Sequence, residues 1–445
     1  MREGSLEAPT RHPLAWQDPD FYDEAKLDAE LRRVFDICHG CRRCFNLCDS
    51  FPRLFDLVDA AGEHEMEAVK SEDFKGVVDA CTLCDMCYMT KCPYVPPHEF
   101  NLDFPHLMLR YRAVELRKGK IGAIERQLTE TDRNGKLASL AAPLANWATD
   151  TKNGLTRGLM QGVAGIHKDA VLPKYHGKTF TARSRDEVPV VNKAAPGFGR
   201  KAVLYATCFV NFNDPAIGTA ARRVLAHNGV ETEVVYPACC GMPQLEHGDI
   251  AKVAERGKAV AAALGPWIDK GYDVIGLTPS CTLMMKFEWP LILPGDPAVK
   301  KLSQASFDLS EYVVAIAKKE GLAPGLKALD GGITVHIACH ARAQNIGQKA
   351  AEMLRLIPET TVAVIERCSG HGGSWGVMKD NFEVGMKIGR PVMKQAVGNG
   401  HKHLVSECPL AGDHIRQGME RYAEGKPLPA EAQSPIELVA LAYGL

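Results

Sequence analysis

The sequence lacks long apolar runs. No stretch approaches the roughly 18 apolar residues of a membrane-spanning helix. The N-terminus, MREGSLEAPTRHPLAWQDPDFYDEAKL, is polar and acidic, without the apolar core of a secretion signal. We therefore expect a cytoplasmic protein with no transmembrane span, for which peripheral contact with the inner face of the membrane is the closest approach to lipid.

The sequence also lacks a charge excess and the common nucleotide-binding motifs. Fifty-three basic residues stand against 54 acidic ones, so no overall field favours nucleic acid as a partner. Neither a G-x-G-x-x-G pattern that opens a strand-helix unit nor a P-loop is present, so flavin or nicotinamide would enter through another chain. No C-x-x-C is followed by histidine, which excludes c-type haem.

What is present is an ordinary globular composition with many cysteines. The 445 residues are 46% hydrophobic and 24% charged, which is typical of folded domains and predicts about three units of roughly 100 to 200 residues. Fifteen cysteines in a reducing compartment are poor candidates for disulfides and better candidates for metal ligands or catalytic thiols.

Two runs near the N-terminus carry eight of these cysteines. The first, ICHGCRRCFNLCDS, has the pattern C-x2-C-x2-C-x3-C, and the second, CTLCDMCYMTKCP, repeats it with one extra residue before the last cysteine. In such runs three thiolates hold one [4Fe-4S] cluster, while the fourth crosses to the neighbouring cluster. The spacing therefore predicts two [4Fe-4S] clusters. Cluster 1 takes Cys38, Cys41, Cys44 and Cys92, and cluster 2 takes Cys81, Cys84, Cys87 and Cys48.

Zinc is the alternative for these runs. A structural zinc site needs paired C-x2-C arms from two separated places, whereas each run offers three closely spaced thiolates and a fourth. A cubane cluster therefore suits the runs better. They depart from the bacterial ferredoxin pattern in two details, because Asp49 stands where proline is usual and one residue is added between Cys87 and Cys92.

The segments around the runs are predicted to be helical. Apolar residues recur at helix spacing between the runs, at Phe51, Leu54, Phe55 and Val58. A further helix is predicted with Asp103 as its N-cap and Gly119 as its stop. Its basic residues suit either a docking face for a partner or membrane, or a solvated face; they are Arg110, Arg112, Arg117 and Lys118.

The chain is therefore predicted to be an α+β multidomain protein. An N-terminal extension, 1–30, precedes an α-helical ferredoxin domain, 31–120, that holds the two [4Fe-4S] clusters. A connector of helices and loops, 121–200, follows, and no site residue is predicted in it. Two duplicated α/β lobes, 201–325 and 326–445, complete the chain.

The duplication rests on a repeated pattern. Short apolar runs alternate with helical patterns from AVLYATCFV to DVIGLTPSC, and again from ITVHIACHA to HLVSECPLAG. Pairs of cysteines recur at nearly constant offsets: Cys208 and Cys339 are 131 residues apart, Cys239 and Cys368 are 129, and Cys281 and Cys408 are 127.

In both lobes the cysteines fall at the predicted C-terminal ends of strands, where an open α/β sheet presents its binding crevice. The first lobe offers Cys208, Cys239, Cys240 and Cys281 as a candidate metal or redox site. The adjacent Cys239 and Cys240 favour such chemistry, because a disulfide between vicinal cysteines is strained.

The second lobe offers a smaller set, since Ser369 stands where the second paired cysteine would be. Its tentative metal site is Cys339, Cys368, Cys408 and His340. His336 and His371 lie nearby in the sequence. These histidines would complete a ligand set or belong to the core.

The segments CFV, ACCGMPQ, TPSCTLMMKFEWP, HIACHAR and RCSGHGGSWG resemble the duplicated cysteine-rich (CCG) domains of the heterodisulfide reductase family. With the N-terminal runs added, the chain resembles the iron-sulfur subunits of anaerobic glycerol-3-phosphate dehydrogenases and of related oxidoreductases. The resemblance implies that Cys208, Cys239, Cys240 and Cys281 bind a noncubane [4Fe-4S] cluster. It also implies two α/β CCG lobes behind the ferredoxin domain.

Three functions remain open. The resemblance implies an iron-sulfur electron-transfer subunit that relays single electrons from a flavoprotein dehydrogenase or other redox protein to a quinone or a disulfide-type acceptor. The second is a heterodisulfide or disulfide reductase that acts at the first CCG site, with its four cysteines as catalytic residues. The third is a non-enzymatic redox or metal sensor whose second half binds zinc or nothing.

Overall fold

The computed structural model describes residues 9–62 and 65–445. It combines a helical first part with two lobes, each built on a four-stranded sheet. The mixed α/β architecture with a duplicated second half is therefore confirmed. In the described ranges, no helix is both long and apolar enough to cross a bilayer.

The N-terminal module, residues 9–120, is helical. Its helices are α1 (Glu24–Cys41), α2 (Ser50–Asp59), α3 (Glu65–Ala68), α4 (Phe74–Asp79) and α5 (Phe104–Arg117), with short helical turns at Pro19–Tyr22, Ser71–Asp73 and Cys87–Lys91. The predicted stripe on α2 is confirmed, because its four apolar residues are buried. The predicted N-cap of α5 is also confirmed, since the Asp103 side chain accepts a hydrogen bond from the backbone N–H of His106.

The basic face of α5 is used inside the molecule. The Arg110 guanidinium donates to the carbonyl of Phe21 at 2.7 Å. Arg112 donates to the carbonyls of Val78, at 2.7 Å, and Glu246, at 2.9 Å. Both predictions for this face, docking and simple solvation, are therefore wrong for these two arginines, which clamp α5 to neighbouring backbone.

The connector, residues 121–200, contains α6 (Ala123–Leu128), α7 (Thr131–Leu140), α8 (Ala142–Thr149), α9 (Gly154–Ala164) and α10 (Phe180–Asp186). Three of these helices carry large apolar side chains on their outer side. This α7–α9 apolar face consists of Leu137, Leu140, Leu144, Trp147, Leu155, Leu159 and Val163, and Leu140 and Leu155 are each 86% exposed. A face of this kind is unusual on a soluble surface and marks a contact site.

The first lobe, residues 201–325, has the strands β1 (Lys201–Tyr205), β2 (Glu231–Val235), β3 (Asp273–Gly276) and β4 (Ser306–Asp308). All pair in parallel, in the order β2-β1-β3-β4. Its helices are α11 (Cys208–Phe212), α12 (Pro215–His227), α13 (Met242–Glu246), α14 (Ile250–Asp269), α15 (Pro279–Leu283), α16 (Trp289–Ile292), α17 (Pro297–Ala305) and α18 (Leu309–Lys319), with a π-helical turn at Met284–Glu288.

The second lobe, residues 326–445, repeats this plan. Its strands β5 (Ile333–His336), β6 (Val362–Ile365), β7 (His403–Ser406) and β8 (Ala432–Gln433) pair in parallel in the equivalent order β6-β5-β7-β8. Its helices are α19 (Cys339–Ala343), α20 (Lys349–Leu354), α21 (Phe382–Asn399), α22 (Pro409–Met419) and α23 (Pro435–Tyr443), with short turns at Trp375–Val377 and Glu420–Tyr422.

The two faces of the first sheet pack in different directions. Along β1, Val203 and Tyr205 join the core shared with the N-terminal module, whereas Ala202 and Leu204 join a core that includes Ile333 of the second lobe. Helices α12 with α23, α18 with α20, and α15 with α19 cross the junction between the lobes. Because parallel sheets need cover on both faces, the module and the second lobe complete the fold of the first.

Residues 9–23 form an N-terminal strap across the first lobe. Arg11 makes ion pairs with Asp85 at 2.9 Å, Asp103 at 2.7 Å and Glu288 at 3.1 Å. His106 joins this buried cluster, with Nε2 3.2 Å from an oxygen of Glu288. The strap also bonds to the first lobe through the Leu14 N–H to the Leu291 carbonyl, at 2.9 Å, and through the Trp16 indole N–H to the Ile292 carbonyl, at 2.8 Å.

Candidate functional site

The first group of thiols lies at the C-terminal end of α1. Burial, then the neighbouring thiols of Cys92, Cys44 and Cys41, raise the pKa of Cys38 well above its usual value. Three cysteines of the first run therefore surround a point that is also reached by the last cysteine of the second run. This is the set that the spacing predicts for cluster 1.

The second group has the complementary composition. Burial, Cys84 and Cys81 raise the pKa of Cys48, and burial, Cys84, Cys81 and Cys48 raise that of Cys87. The second run bends tightly to gather its thiols, with Leu83 and Asp85 in the left-handed region at φ 48° and 61°. The structure thus gathers the set predicted for cluster 2. The role of all eight thiols as iron ligands stays a prediction.

The third group lies in the first lobe, at the C-terminal edge of its sheet. Cys208 begins α11 after β1, Cys239 and Cys240 follow β2, and Cys281 lies in α15 after β3. The sulfurs of Cys208 and Cys239 are 3.7 Å apart. Contacts with Cys239 and Cys281, followed by burial, raise the pKa of Cys240 well above its usual value. All four thiols therefore face one another, three of them buried.

The connector closes over this third group. Asp132, at the start of α7, accepts a hydrogen bond from the Cys239 backbone N–H at 3.1 Å and another from the Tyr236 hydroxyl. It also pairs with Arg256 at 2.5 Å, and the neighbouring Thr131 lowers the pKa of Cys239. No site residue is predicted between 121 and 200, but the structure brings these two to the site. Nothing in a Thr-Asp pair at a helix start distinguishes a site from an ordinary cap.

A four-iron cluster fits the donor set of the first lobe. Within the described residues, the hydroxyl oxygens of Thr131 and Thr278 are buried without a hydrogen-bond partner. Thr131 adjoins the third group, and Thr278 directly precedes the helix of Cys281. Four facing thiols with unpaired hydroxyls beside them suit a cluster whose sulfurs accept hydrogen bonds. Across residues 9–62 and 65–445, no three Cys, His, Asp or Glu side chains converge tightly enough to hold a single metal ion.

The fourth group, in the second lobe, adjoins the N-terminal module. Cys339 begins α19 and Cys408 precedes α22, while Cys368 follows β6. Burial, then Cys84, Cys368 and Cys408, raise the pKa of Cys339 well above its usual value. Burial and Cys368 raise the pKa of Cys84 to about 12. The three thiols of the second lobe therefore lie together, and they lie beside the second group.

The nearby histidines have other neighbours. Both ring nitrogens of His336 are 3.0 Å from an oxygen, Nδ1 from the Ser406 hydroxyl and Nε2 from the Arg367 carbonyl, and burial lowers its pKa to about 4. It is a core residue. The Nε2 of His340 lies 3.4 Å from the carbonyl oxygen of Leu83, so any ligand role falls to its Nδ1 and stays a prediction. Burial, then His414, lower the pKa of His371 to about 3.

A cavity of about 460 Å³ opens between the N-terminal module, the connector and both lobes. Its lining includes Cys81 and Thr82 from the second run, and Glu246 from the first lobe. Tyr111 and Trp375 contribute aromatic rings. None of these residues except Cys81 is predicted as a site residue, because the segments that supply them meet only in three dimensions.

Comparison with known proteins agrees with these features. Residues 202–286 and 333–415 each match the family model of the cysteine-rich (CCG) domain. The C-lettered component of the anaerobic glycerol-3-phosphate dehydrogenase of Escherichia coli K12 is 27% identical over 287 residues, which are 63% of this chain and 69% of that protein.

Two further relatives are archaeal. The B-lettered component of the fumarate reductase (CoM/CoB) of Methanothermobacter marburgensis is 23% identical over 280 residues, 59% of this chain and 51% of that protein. An uncharacterized iron-sulfur protein of Methanocaldococcus jannaschii is 26% identical over 259 residues, 55% and 48% of the two chains. The second half of this chain therefore consists of two cysteine-rich (CCG) domains, and the chain is related to iron-sulfur proteins and to subunits of oxidoreductases.

Proposed function

We propose that this protein is an iron-sulfur electron-transfer subunit. It relays single electrons between a flavoprotein dehydrogenase, or another redox protein, and a quinone or disulfide-type acceptor. The observation that carries the proposal is the exchange of cysteines between the two N-terminal runs. Cys92 lies with Cys38, and Cys48 lies with Cys81 and Cys84.

The eight N-terminal thiols would hold two [4Fe-4S] clusters, and the four thiols of the first lobe would hold a third, noncubane cluster. Such clusters accept and release one electron at a time with little geometric change. The chain supplies thiolate ligands and, around the third group, Asp132 and Arg256, which fix the backbone of Cys239. This arrangement supports a rigid carrier.

The order of the thiol groups supports a path. Cys44 of the first group is close enough to Cys87 to raise its pKa, and Cys368 of the second lobe does the same for Cys84. Neighbouring groups therefore follow one another from the first run, through the second run, to the second lobe. We propose that electrons follow this order, in either direction.

The names of the relatives support a partner of dehydrogenase or reductase type, because one belongs to a glycerol-3-phosphate dehydrogenase and another to a fumarate reductase. The α7–α9 apolar face supports peripheral contact with a membrane. Leucines and a tryptophan on amphipathic helices insert between lipid headgroups. Flotation with anionic vesicles tests this contact, and a Leu155→Asp, Leu159→Asp double variant should stay in the heavy fraction.

A disulfide reductase that acts in the first lobe is the second candidate. It is favoured by Cys239, since contacts with Cys208 and Cys240 lower the pKa of its thiol and a thiolate is the form that attacks disulfides. Turnover of a small disulfide by the isolated protein would favour this candidate. A sensor would neither reduce the disulfide nor pass electrons to a dye.

The proposal is tested by anaerobic purification, followed by counts of iron and acid-labile sulfide and by EPR. About eight irons are expected for the N-terminal clusters alone and about twelve with a cluster in the first lobe. Cys81→Ser should lower the count and the rate of viologen-to-ferricyanide electron transfer. Glu72→Gln, an exposed change in the same module, is the matched control. A colourless preparation without sulfide would contradict the proposal.

A further inference from the structure

The cavity beside Cys81 has no part in holding the thiol groups. Arg112 forms its floor, since it binds the Val78, Cys81 and Glu246 carbonyls at once. This arginine therefore joins the first lobe directly to the second cysteine run. A molecule in the cavity would lie next to a thiol of the second group.

Glu246 is the acid of this cavity. It ends α13, and among the described residues its carboxyl group has no ion pair or hydrogen bond of its own. Burial, opposed by Arg112, raises its pKa to about 7. A carboxyl group of this kind holds a proton at neutral pH and can give it up.

Two glycines allow the second lobe to form the opposite wall. A Cβ on Gly372 would lie 2.5 Å from the Thr82 methyl group, and a Cβ on Gly373 would lie 2.6 Å from a Glu246 carboxyl oxygen. Both glycines have positive φ, 58° and 63°. Only glycine lets this loop, which follows Cys368, approach the second run and the acid so closely.

We propose that this cavity is the acceptor site, where a quinone headgroup binds beside Cys81 and receives a proton from Glu246. The inference rests on the proposed electron-transfer function and names its acceptor and its place. Reduction of a quinone to the hydroquinone takes two electrons and two protons. The N-terminal clusters supply the electrons one at a time and are refilled by the redox partner. Glu246 gives one proton to a quinone oxygen and is reprotonated from water, and water at the open side supplies the other proton.

Two features favour a quinone over a disulfide. The cavity is lined by the rings of Tyr111 and Trp375, and flat aromatic side chains suit a planar ring. In addition, the segment from Ile121 to Thr129 lines the cavity and leads directly into α7. The cavity is thus continuous along the chain with the α7–α9 apolar face, from which a lipid-soluble carrier would enter.

The test uses the anaerobically purified full-length protein with its clusters reduced. Reoxidation is followed by stopped-flow absorbance with menadione, a tail-free quinone, and separately with ferricyanide, which takes electrons without protons. Glu246→Gln should slow the menadione reaction about a hundredfold, the usual effect of losing a general acid, and leave the ferricyanide reaction unchanged. Ile121→Trp, which fills the cavity, should raise the menadione concentration for half-maximal rate at least about tenfold, since a filled pocket loses binding energy of more than about 1.4 kcal/mol.

Glu255→Gln, an exposed acid on α14, is the control and should match the wild type with both oxidants. Iron content and circular dichroism check that each variant is folded and loaded. Wild-type menadione kinetics in both Glu246→Gln and Ile121→Trp would overturn the inference. A wild-type protein that reduces ferricyanide but not menadione would overturn it while leaving electron transfer standing, and failure with both oxidants would remove the proposed function as well.

Discussion

The two CCG lobes have the same strand order, but their cysteine groups have different surroundings. The first lobe presents four thiols to one another, and the connector covers them with Thr131 and Asp132. The second lobe presents three, has Ser369 in place of the paired cysteine, and lies beside Cys84 of the N-terminal module. The duplicated scaffold thus carries one enclosed site and one that meets another part of the chain.

This difference shows how a repeated fold separates two tasks. The enclosed site suits a tightly held group, because its thiols are buried and its backbone is fixed by Asp132. The second lobe uses the equivalent loop as a contact surface, where Gly372 and Gly373 allow approach to Thr82 and Glu246. The loss of one cysteine is therefore accompanied by a gain in contacts.

The largest expected effect comes from exchanging the residues that distinguish the two sites. Cys240→Ser should remove the cluster proposed for the first lobe, about four irons per chain, whereas Ser369→Ala should leave the iron content unchanged. Iron and sulfide counts on anaerobic samples check this. Equal losses in both variants, or none in either, would show that the lobes do not differ in this way.

The equivalent glycines after the paired positions should differ next. Both Gly241 and Gly370 have positive φ, 88° and 80°, so alanine costs each about 1 kcal/mol in the backbone. A Cβ on Gly370 would also overlap the carbonyl oxygen of Gly385 in α21, whereas one on Gly241 would meet only contacts at 3.4 Å. Gly370→Ala should therefore lose about 4 kcal/mol or more of unfolding free energy, as measured by urea denaturation. Equal costs would contradict this steric difference.

The two ends of the molecule should respond to pH with opposite signs. Burial and Arg11 act to lower the pKa of His106, but Asp103 and Glu288 outweigh them and raise it to about 9. Its stabilisation is complete below the unfolded pKa of about 6.5 and is lost as pH rises towards 9. His336, with its pKa lowered to about 4, destabilises the fold as pH falls from 6.5 towards 4.

Each effect amounts to at most about 3 kcal/mol. The difference in unfolding free energy between wild type and His106→Gln should therefore shrink from pH 6 to pH 9, and that for His336→Gln should change only below pH 6.5. Urea denaturation at several pH values measures both differences. A constant difference for either variant would contradict the assignment of its charge state.

The smallest expected effects concern two ion pairs. Asp132→Asn breaks the largely buried pair with Arg256 at the first site and should cost about 2 kcal/mol. In the second lobe, Glu383→Gln breaks an exposed pair with Arg421, at 2.7 Å, and should cost less than about 1 kcal/mol. Thermal unfolding at low and high salt compares them. A larger effect for the exposed pair would reverse this ranking.

Much of the fold could be predicted because its signals are local. Alternating apolar runs predict strands, so the positions of Cys208, Cys281 and Cys408 after β1, β3 and β7 follow from period alone. The strands β4 and β8, three and two residues long, are missed because so short a segment carries no periodicity. The interleaving of the two N-terminal runs was accessible through spacing.

The parts of the sites that could not be predicted depend on distant segments. Asp132 is an ordinary residue at a helix start until Cys239 and Arg256, from other elements, bind to it. Glu246 and Trp375 face the same cavity from different lobes, a relation that no local pattern contains. The arginines of α5 similarly look like surface charge until their carbonyl partners are known.

The N-terminal strap has a consequence for the order of events during synthesis. Arg11 leaves the ribosome 277 residues before its partner Glu288, an interval of roughly 15 to 60 s at translation speeds of about 5 to 20 residues per second. Throughout that interval the acidic side chains around Asp85 lack part of their final environment. Cofactor insertion into the nascent chain therefore precedes closure of the strap, or waits until most of the first lobe has emerged.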